Sequence, residues 1–294
     1  MPTNRALPYV WMLCGSFSFA VMAILSNALG EQCHWVIIAL VRAALACTFA
    51  AILAVASGVK LVWFRPRTLW LRSIAGSISL VCSFYAITHM HVAEVLTITN
   101  TFPIWVALLS WPIFGIRPPG YVWVAVLCGV SGVVLILNPK LNEVNWAAYL
   151  ALVSSVCTAF AMIGLHQLQG IDPRAVVVHF SGVAVLFCLV TLAVVPLDDM
   201  SWSAAADGWP PLMLLGVGIT ATIGQLFLTK AFAAGPPAQV SVVGLTQIVF
   251  AFILEVIFRG RPIETRVLEG MLLVIAPTAW IMLRSGFREA PPVD

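Results

Sequence analysis

Runs of about twenty residues with almost no charge follow one another from Pro8 to Leu283, and this succession constrains the fold more than any other feature. A helix of about 20 apolar residues crosses the hydrocarbon core of a bilayer. In lipid, backbone N–H and C=O groups must be satisfied within the segment, so such runs read as helices. They span Pro8 to Leu29, Trp35 to Ser57, Leu69 to Thr88, Val92 to Phe114, Tyr121 to Leu137, Trp146 to His166, Ala175 to Val195, Trp209 to Lys230, Pro237 to Phe258 and Val267 to Leu283. Brief turns such as Arg117-Pro118-Pro119-Gly120, Asn138-Pro139 and Asp172-Pro173 join them and leave no room for a soluble domain. Hydrophobic residues make up 61% of the chain and charged ones 9%, too little polar surface to coat a water-soluble fold. The sequence therefore predicts an all-α membrane protein with ten transmembrane helices. The first run exceeds the ~7–15-residue apolar core of a cleavable signal and reads as a retained helix.

One of these segments is written twice. Val92 to Pro118, VAEVLTITNTFPIWVALLSWPIFGIRP, returns as Pro237 to Pro262, PAQVSVVGLTQIVFAFILEVIFRGRP. At a single offset Phe114, Arg117 and Pro118 meet Phe258, Arg261 and Pro262, and Pro103 falls opposite Gln247. Each copy has a small polar centre, Thr97 to Thr101 in the first and Ser241 through Gly244 to Gln247 in the second. Fainter matches set Phe19-Ala20-Val21-Met22 against Phe160-Ala161-Met162-Ile163 and place His179 where Arg42 falls. Two five-helix repeats follow, residues 1–139 and 140–294, and because five is odd the second is inverted relative to the first, around a shared cavity.

Orientation comes from lysines and arginines outside the spans. With the N-terminus inside, the cytoplasmic face collects Arg5, Lys60, Arg65, Arg67, Arg72, Arg117, Arg174, Lys230, Arg284 and Arg288, against Lys140, Arg259, Arg261 and Arg266 outside. This predicts an integral protein of the plasma (bacterial inner) membrane with both termini cytoplasmic. The net charge of +3 is dispersed, without the basic stripe that nucleic acid requires. Seven cysteines lie mostly inside apolar runs without C-x-x-C spacing and read as small hydrophobes.

Several short pieces recur in a known order. They are Phe84-Tyr85-Ala86, Ala93-Glu94, mid-helix Pro103 and Phe114-Gly115-Ile116-Arg117-Pro118 in the first half. Gly224-Gln225, Thr229-Lys230-Ala231, Pro236-Pro237-Ala238 and Gln247 followed by Phe258-Arg259-Gly260-Arg261-Pro262 are their counterparts in the second. In these the chain resembles the EamA-like members of the drug/metabolite transporter superfamily over nearly its whole length. It departs from them where Gly115-Ile116 and Gly260-Arg261 stand in place of Gly-Glu, which removes any ion pair those glutamates make. The resemblance implies a secondary carrier of small organic molecules, often amino acids or their relatives and often working outward. It also implies a cavity among the first, third, fourth, sixth, eighth and ninth helices.

Arg42 lies inside a span, where a cation costs about 2.5–3.5 kcal/mol on insertion scales, so it faces protein or water and can attract a carboxylate. The competing reading is a side chain that bonds helix-end carbonyls or snorkels past Trp35. His179 has an ordinary pKa near ~6.5 and is a candidate proton carrier, or else a packed and hydrogen-bonded core histidine. Ser16, Thr97, Asn100 and Gln247 are polar groups at mid-membrane that contact a solute or bond neighbouring helices. Pro103 cannot donate to the helix ladder and frees a carbonyl near Thr99. Phe19, Tyr85 and Trp105 offer aromatic surface, and Gln225 belongs to the pieces that carry the resemblance. Glu94 and Glu255 near outer helix ends are proton or gate candidates, with solvated interfacial carboxylates as the plainer alternative.

Enzyme signatures are missing. Neither H-E-x-x-H nor G-x-S-x-G occurs, Gly129-Val130-Ser131-Gly132 reads as helix packing, and His89-Met90-His91 lacks a third ligand for a metal. No cofactor or metal is expected. The reading is a carrier, not an enzyme, which moves a small polar or zwitterionic, amino-acid-like metabolite, in the export direction, by alternating access. Protons are a candidate coupling ion, and the protein is a monomer or weak homodimer in the bilayer. An importer of a vitamin- or nucleoside-like aromatic compound is the alternative in the same class, and a membrane enzyme or lipid-handling protein the alternative in another.

Overall fold

The structure is a computed structural model, and it describes residues 6–30, 33–89, 92–115, 117–137, 146–194, 209–260, 262 and 264–286. The acidic stretch with Asp198, Asp199 and Asp207, the turn at Asn138-Pro139, and His91 lie outside the described residues. The helices are α1 (Leu7–Leu29), α2 (Trp35–Ala56), α3 (Arg67–His89), α4 (Val92–Thr99), α5 (Phe102–Phe114), α6 (Gly120–Leu137), α7 (Trp146–His166), α8 (Pro173–Val194), α9 (Trp209–Ala234), α10 (Pro237–Gly244), α11 (Thr246–Arg259) and α12 (Thr265–Gly286). They supply ten segments long and apolar enough to cross a membrane, with α4 and α5 forming one span and α10 and α11 another.

Those two divided spans correct the sequence expectation of unbroken helices over Val92 to Phe114 and Pro237 to Phe258. Pro103 stands in the first turn of α5, where the missing N–H would find no intrahelical partner, rather than in a helix interior. The second break, at Leu245, has no proline. Ser241 Oγ donates to the Ala238 carbonyl at 2.9 Å and Thr246 Oγ1 to that of Val243 at 2.7 Å, so hydroxyls compete with the backbone ladder beside Gly244. Both spans end alike, on a left-handed glycine, Gly115 at φ 68° and Gly260 at φ 64°, which only a residue without Cβ adopts cheaply. The helix expected to stop at Lys230 continues to Ala234, because Gly235-Pro236 terminates it and Lys230 reaches aside over the Trp11 ring at 5.9 Å.

Helices from opposite halves make the most extensive pairings: α1 with α9, α3 with α7, α2 with α8, and α6 with α12. Exchanging the two halves turns the first pairing into the second and leaves the other two unchanged. Each pair is antiparallel. Gly15 lies beside Gly224 while Gly216 lies beside Leu25, and Arg72 borders Gly164 while Ser79 bonds Ser154. Antiparallel counterparts are what an odd number of helices per half imposes, and the fold is two inverted five-helix repeats.

Lipid tails are as apolar as leucine, so close packing and interhelical hydrogen bonds hold the helices together. On the α3–α7 seam Ser79 bonds Ser154 at 2.9 Å and Thr158 at 2.7 Å, and Ser83 bonds Ser154 at 2.6 Å. Each such bond contributes ~0.6 kcal/mol. On the α6–α12 seam a Cβ at Gly132 would come within 2.5 Å of the Gly270 carbonyl oxygen, so the two backbones meet directly. Val55, Val190 and Leu272 stay exposed and belong to the lipid-facing surface.

Candidate functional site

Three groups of polar side chains lie inside the bundle. The first gathers at the two helix breaks. Asn100 turns back on its own helix, with its backbone N–H and Nδ2 both donating to the Leu96 carbonyl at 2.9 and 2.8 Å. Thr101 Oγ1 shares a hydrogen bond of 2.9 Å with Ser155 of α7. Ser16 of α1 is fully buried and donates to the Gly244 carbonyl, 3.4 Å away at the second break. Each break is thus met by a serine from the opposite half. A Cβ at Gly244 would lie 3.6 Å from Phe102, which places the second break beside the start of α5. Trp105, one helical turn into α5, holds its indole Nε1 buried without a hydrogen-bond partner among the described residues. Gln247 is half-buried, and no hydrogen bond joins it to Asn100 among the described residues. Thr97 and Pro103 are buried, while the Glu94 side chain lies outside the described residues.

The second group lies between α2, α3, α8 and α9. Arg42, Ala43, Ala46, Leu80, Phe180 and Gln225 are among the residues that line a pocket there. Behind it Arg72 is only 2% exposed. Its Nη2 donates to Gln225 Oε1 at 3.1 Å, and its guanidinium lies over the Phe180 ring at 4.0 Å. Gly76 makes room, since any Cβ there would run into both the Arg72 guanidinium and the Phe180 ring. Phe19, one turn from Ser16 on α1, packs on Gly224 next to Gln225 and so links this pocket to the breaks.

The charge count placed Arg72 among the cytoplasmic cations, and the structure puts it inside the bundle. Its position, near the start of a span, reads like a snorkelling interfacial cation. The sign that could have found it is the glycine one turn on, Gly76, which clears space on the same face.

His179 anchors the third group. One ring nitrogen, Nε2, lies 3.1 Å from the Trp63 carbonyl and the other, Nδ1, 2.7 Å from Ser73 Oγ. A carbonyl only accepts, so Nε2 carries the proton and Nδ1 accepts from the serine hydroxyl. Trp70 meets the ring edge-on at 4.7 Å. The neutral imidazole is fully satisfied, as a packed core histidine is.

The remaining candidates lie nearer the ends. Tyr85 stacks on His89 at 4.0 Å near the end of α3 and packs on the small cluster of Ala86, Val95, Ala147 and Ala151. Glu255 is half-buried on α11. Arg266, counted among the outer cations, pairs with Glu264 at 2.6 Å. At the opposite ends of the helices, Tyr9 donates to Gln239 Oε1, and Gln239 Nε2 donates to Tyr121 at 3.0 Å, tying α1, α10 and α6. Among the described residues no three His, Cys, Asp or Glu side chains gather as metal ligands.

The EamA-like transporter family profile matches residues 6–138 and again 145–283. The pseudopaline exporter CntI of Pseudomonas aeruginosa is 29% identical over 275 residues, 92% of this chain and 94% of that one. Human solute carrier family 35 member G1 is 22% identical, over 75% of this chain and 63% of its own. The riboflavin transporter of Rhizobium johnstonii is 24% identical, over 68% of this chain and 64% of its own. A crystal structure with 17% sequence identity superposes at a TM-score of 0.81, covering 96% of this chain and 99% of the other, a likeness of fold.

Proposed function

The chain belongs to the EamA-like transporter family, and on that premise we propose that it exports a small polar or zwitterionic, amino-acid-like metabolite across the plasma membrane by alternating access. The observation that carries this reading is the pair of helix breaks, each met by a serine from the opposite half. Interrupted helices at mid-membrane expose backbone polar groups that a solute can use, and lipid tolerates such backbone only where protein or a cavity covers it. Ser16, Thr97, Asn100, Trp105 and Gln247 surround those breaks, and Phe19, Arg42 and Gln225 extend the polar path sideways. The outward direction draws on the relative that is named an exporter. Both termini face the cytoplasm in this reading, from the excess of lysine and arginine there, and the two functional repeats are residues 1–139 and 140–294.

A second reading has one observation in its favour. The buried, unpartnered indole N–H of Trp105 suits the carbonyl edge of an aromatic ring system, and one relative is named a riboflavin transporter. Counterflow in proteoliposomes separates the two. Labelled glutamate or alanine accumulating against unlabelled solute supports the amino-acid-like carrier. Labelled riboflavin accumulating alone supports the second reading, and accumulation of neither removes both.

A further inference from the structure

We infer that the pocket between α2, α3, α8 and α9 is an anion site, and that the carried solute is an acid with a carboxylate held apart from any amine it has. This rests on the carrier reading and narrows its substrate.

Two arginines border one pair of residues. Arg42 lines the pocket together with Phe180 and Gln225, and Arg72 touches those same two from behind. Arg72 is nine-tenths and more buried, and its Nε has no hydrogen-bond partner among the described residues. Arg42 forms no hydrogen bond or ion pair among the described residues. The carboxylates with described side chains that lie on membrane spans are Glu255 on α11 and Glu269 on α12, and neither helix packs extensively on α2, α3, α8 or α9. Two like charges inside a bilayer therefore stand together with one neutral amide and one aromatic face between them. Such an arrangement is costly unless something negative arrives to complete it.

The chemistry of the lining names that something. A guanidinium presents its N–H groups as a planar fork that fits a carboxylate through two parallel bonds. Gln225 must turn Oε1 towards Arg72, because a guanidinium only donates, and this leaves its NH2 as the end available to the pocket. Ser181 adds a hydroxyl to the lining. The two arginines are positively charged and Gln225 turns its NH2 to the pocket, so an ammonium is repelled, while the Ser181 hydroxyl can donate or accept and the rest of the wall is apolar. A simple zwitterion, whose amine lies next to its carboxylate, fits poorly. The space enclosed is about 10 Å³, room for a single water molecule, so a carboxylate enters only as the surrounding helices move apart in the transport cycle.

The test uses matched probes on the purified full chain. Glutarate and its neutral isostere glutaramide are added at millimolar concentration and the melting temperature is followed. Glutarate is expected to raise it and glutaramide to leave it unchanged. Arg42→Gln is expected to abolish the glutarate shift and, by removing an uncompensated charge, to melt above the wild type without ligand. Arg42→Lys is expected to retain a smaller shift, as a point charge without the fork. Equal shifts from both probes, no shift from either, or a glutarate shift that survives Arg42→Gln would each overturn the inference. So would stabilisation by phosphatidylglycerol in nanodiscs that Arg42→Gln loses, since the pocket would then hold a lipid head group.

Counterflow separates this failure from failure of the carrier reading. Exchange of alanine and glutamine as fast as glutamate keeps the carrier and removes the acid site. Glutarate binding that depends on Arg42, without exchange of any solute, keeps the site and removes the carrier.

Discussion

At the scale of single residues, His179 shows how hydrogen-bond accounting decides a role. Its two partners fix the neutral tautomer, and taking up a proton would set Nδ1–H against the donating hydroxyl of Ser73 until that hydroxyl rotates. His179→Gln is therefore expected to leave the pH profile of transport unchanged while costing about 1 kcal/mol of stability for a lost hydrogen bond. A pH optimum displaced by that substitution would restore the histidine as a proton carrier. Arg42 and Arg72 show what the sequence can and cannot tell. Arg42 was legible because a cation deep in an apolar run needs a reason. Arg72 was not, because both faces of a membrane helix are apolar and no hydrophobic stripe marks the side that turns inward. Asn100 stands out in the sequence as a polar group in mid-span, and its amide donor is engaged on its own helix at the break.

Among the elements, the two divided spans carry the most information, and they were only half legible. Pro103 announced trouble in the first copy, although its effect is to open a new helix rather than to bend an old one. The second break depends on Gly244 with hydroxyls on either side, a signal too common in membrane helices to read alone. Helix seams were more readable. Gly129-Val130-Ser131-Gly132 reads as a packing run, and Gly132 meets the Gly270 carbonyl on α12 while Gly129 lies against the Leu245 side chain. Since the atom facing Gly132 belongs to a backbone, it cannot swing aside. Gly132→Ala is expected to destabilise the protein by about 1–3 kcal/mol, the usual cost of overpacking, seen as a lower melting temperature in detergent. Gly120→Ala, where an added Cβ meets nothing within 4 Å, serves as the control and should change it little.

For the whole molecule, the relevant fact is that the pairings survive exchange of the halves while the bonds at the two ends do not. On one face, α1, α10 and α6 are tied by the Tyr9–Gln239–Tyr121 chain, and His166 Nδ1 bonds the Phe232 carbonyl at 3.1 Å across α7 and α9. At the other end, α7, α4 and α3, the counterparts of α1, α10 and α9, meet through Ala86, Val95, Ala147 and Ala151. Polar ties among uncharged side chains are worth little each, so this face can open at modest cost, as a two-state carrier requires. If solute crosses by alternating access, these ends must part once in every cycle. A pair of cysteines at positions 9 and 239, in a chain whose seven native cysteines are replaced, tests this directly. Oxidation to a disulfide is expected to stop counterflow, and reduction to restore it, while the same treatment of the cysteine-free parent changes nothing. Counterflow that continues at the parental rate with the disulfide formed would mean that α1 and α10 stay together throughout the cycle. Passage would then have to run without separation of the halves on this face.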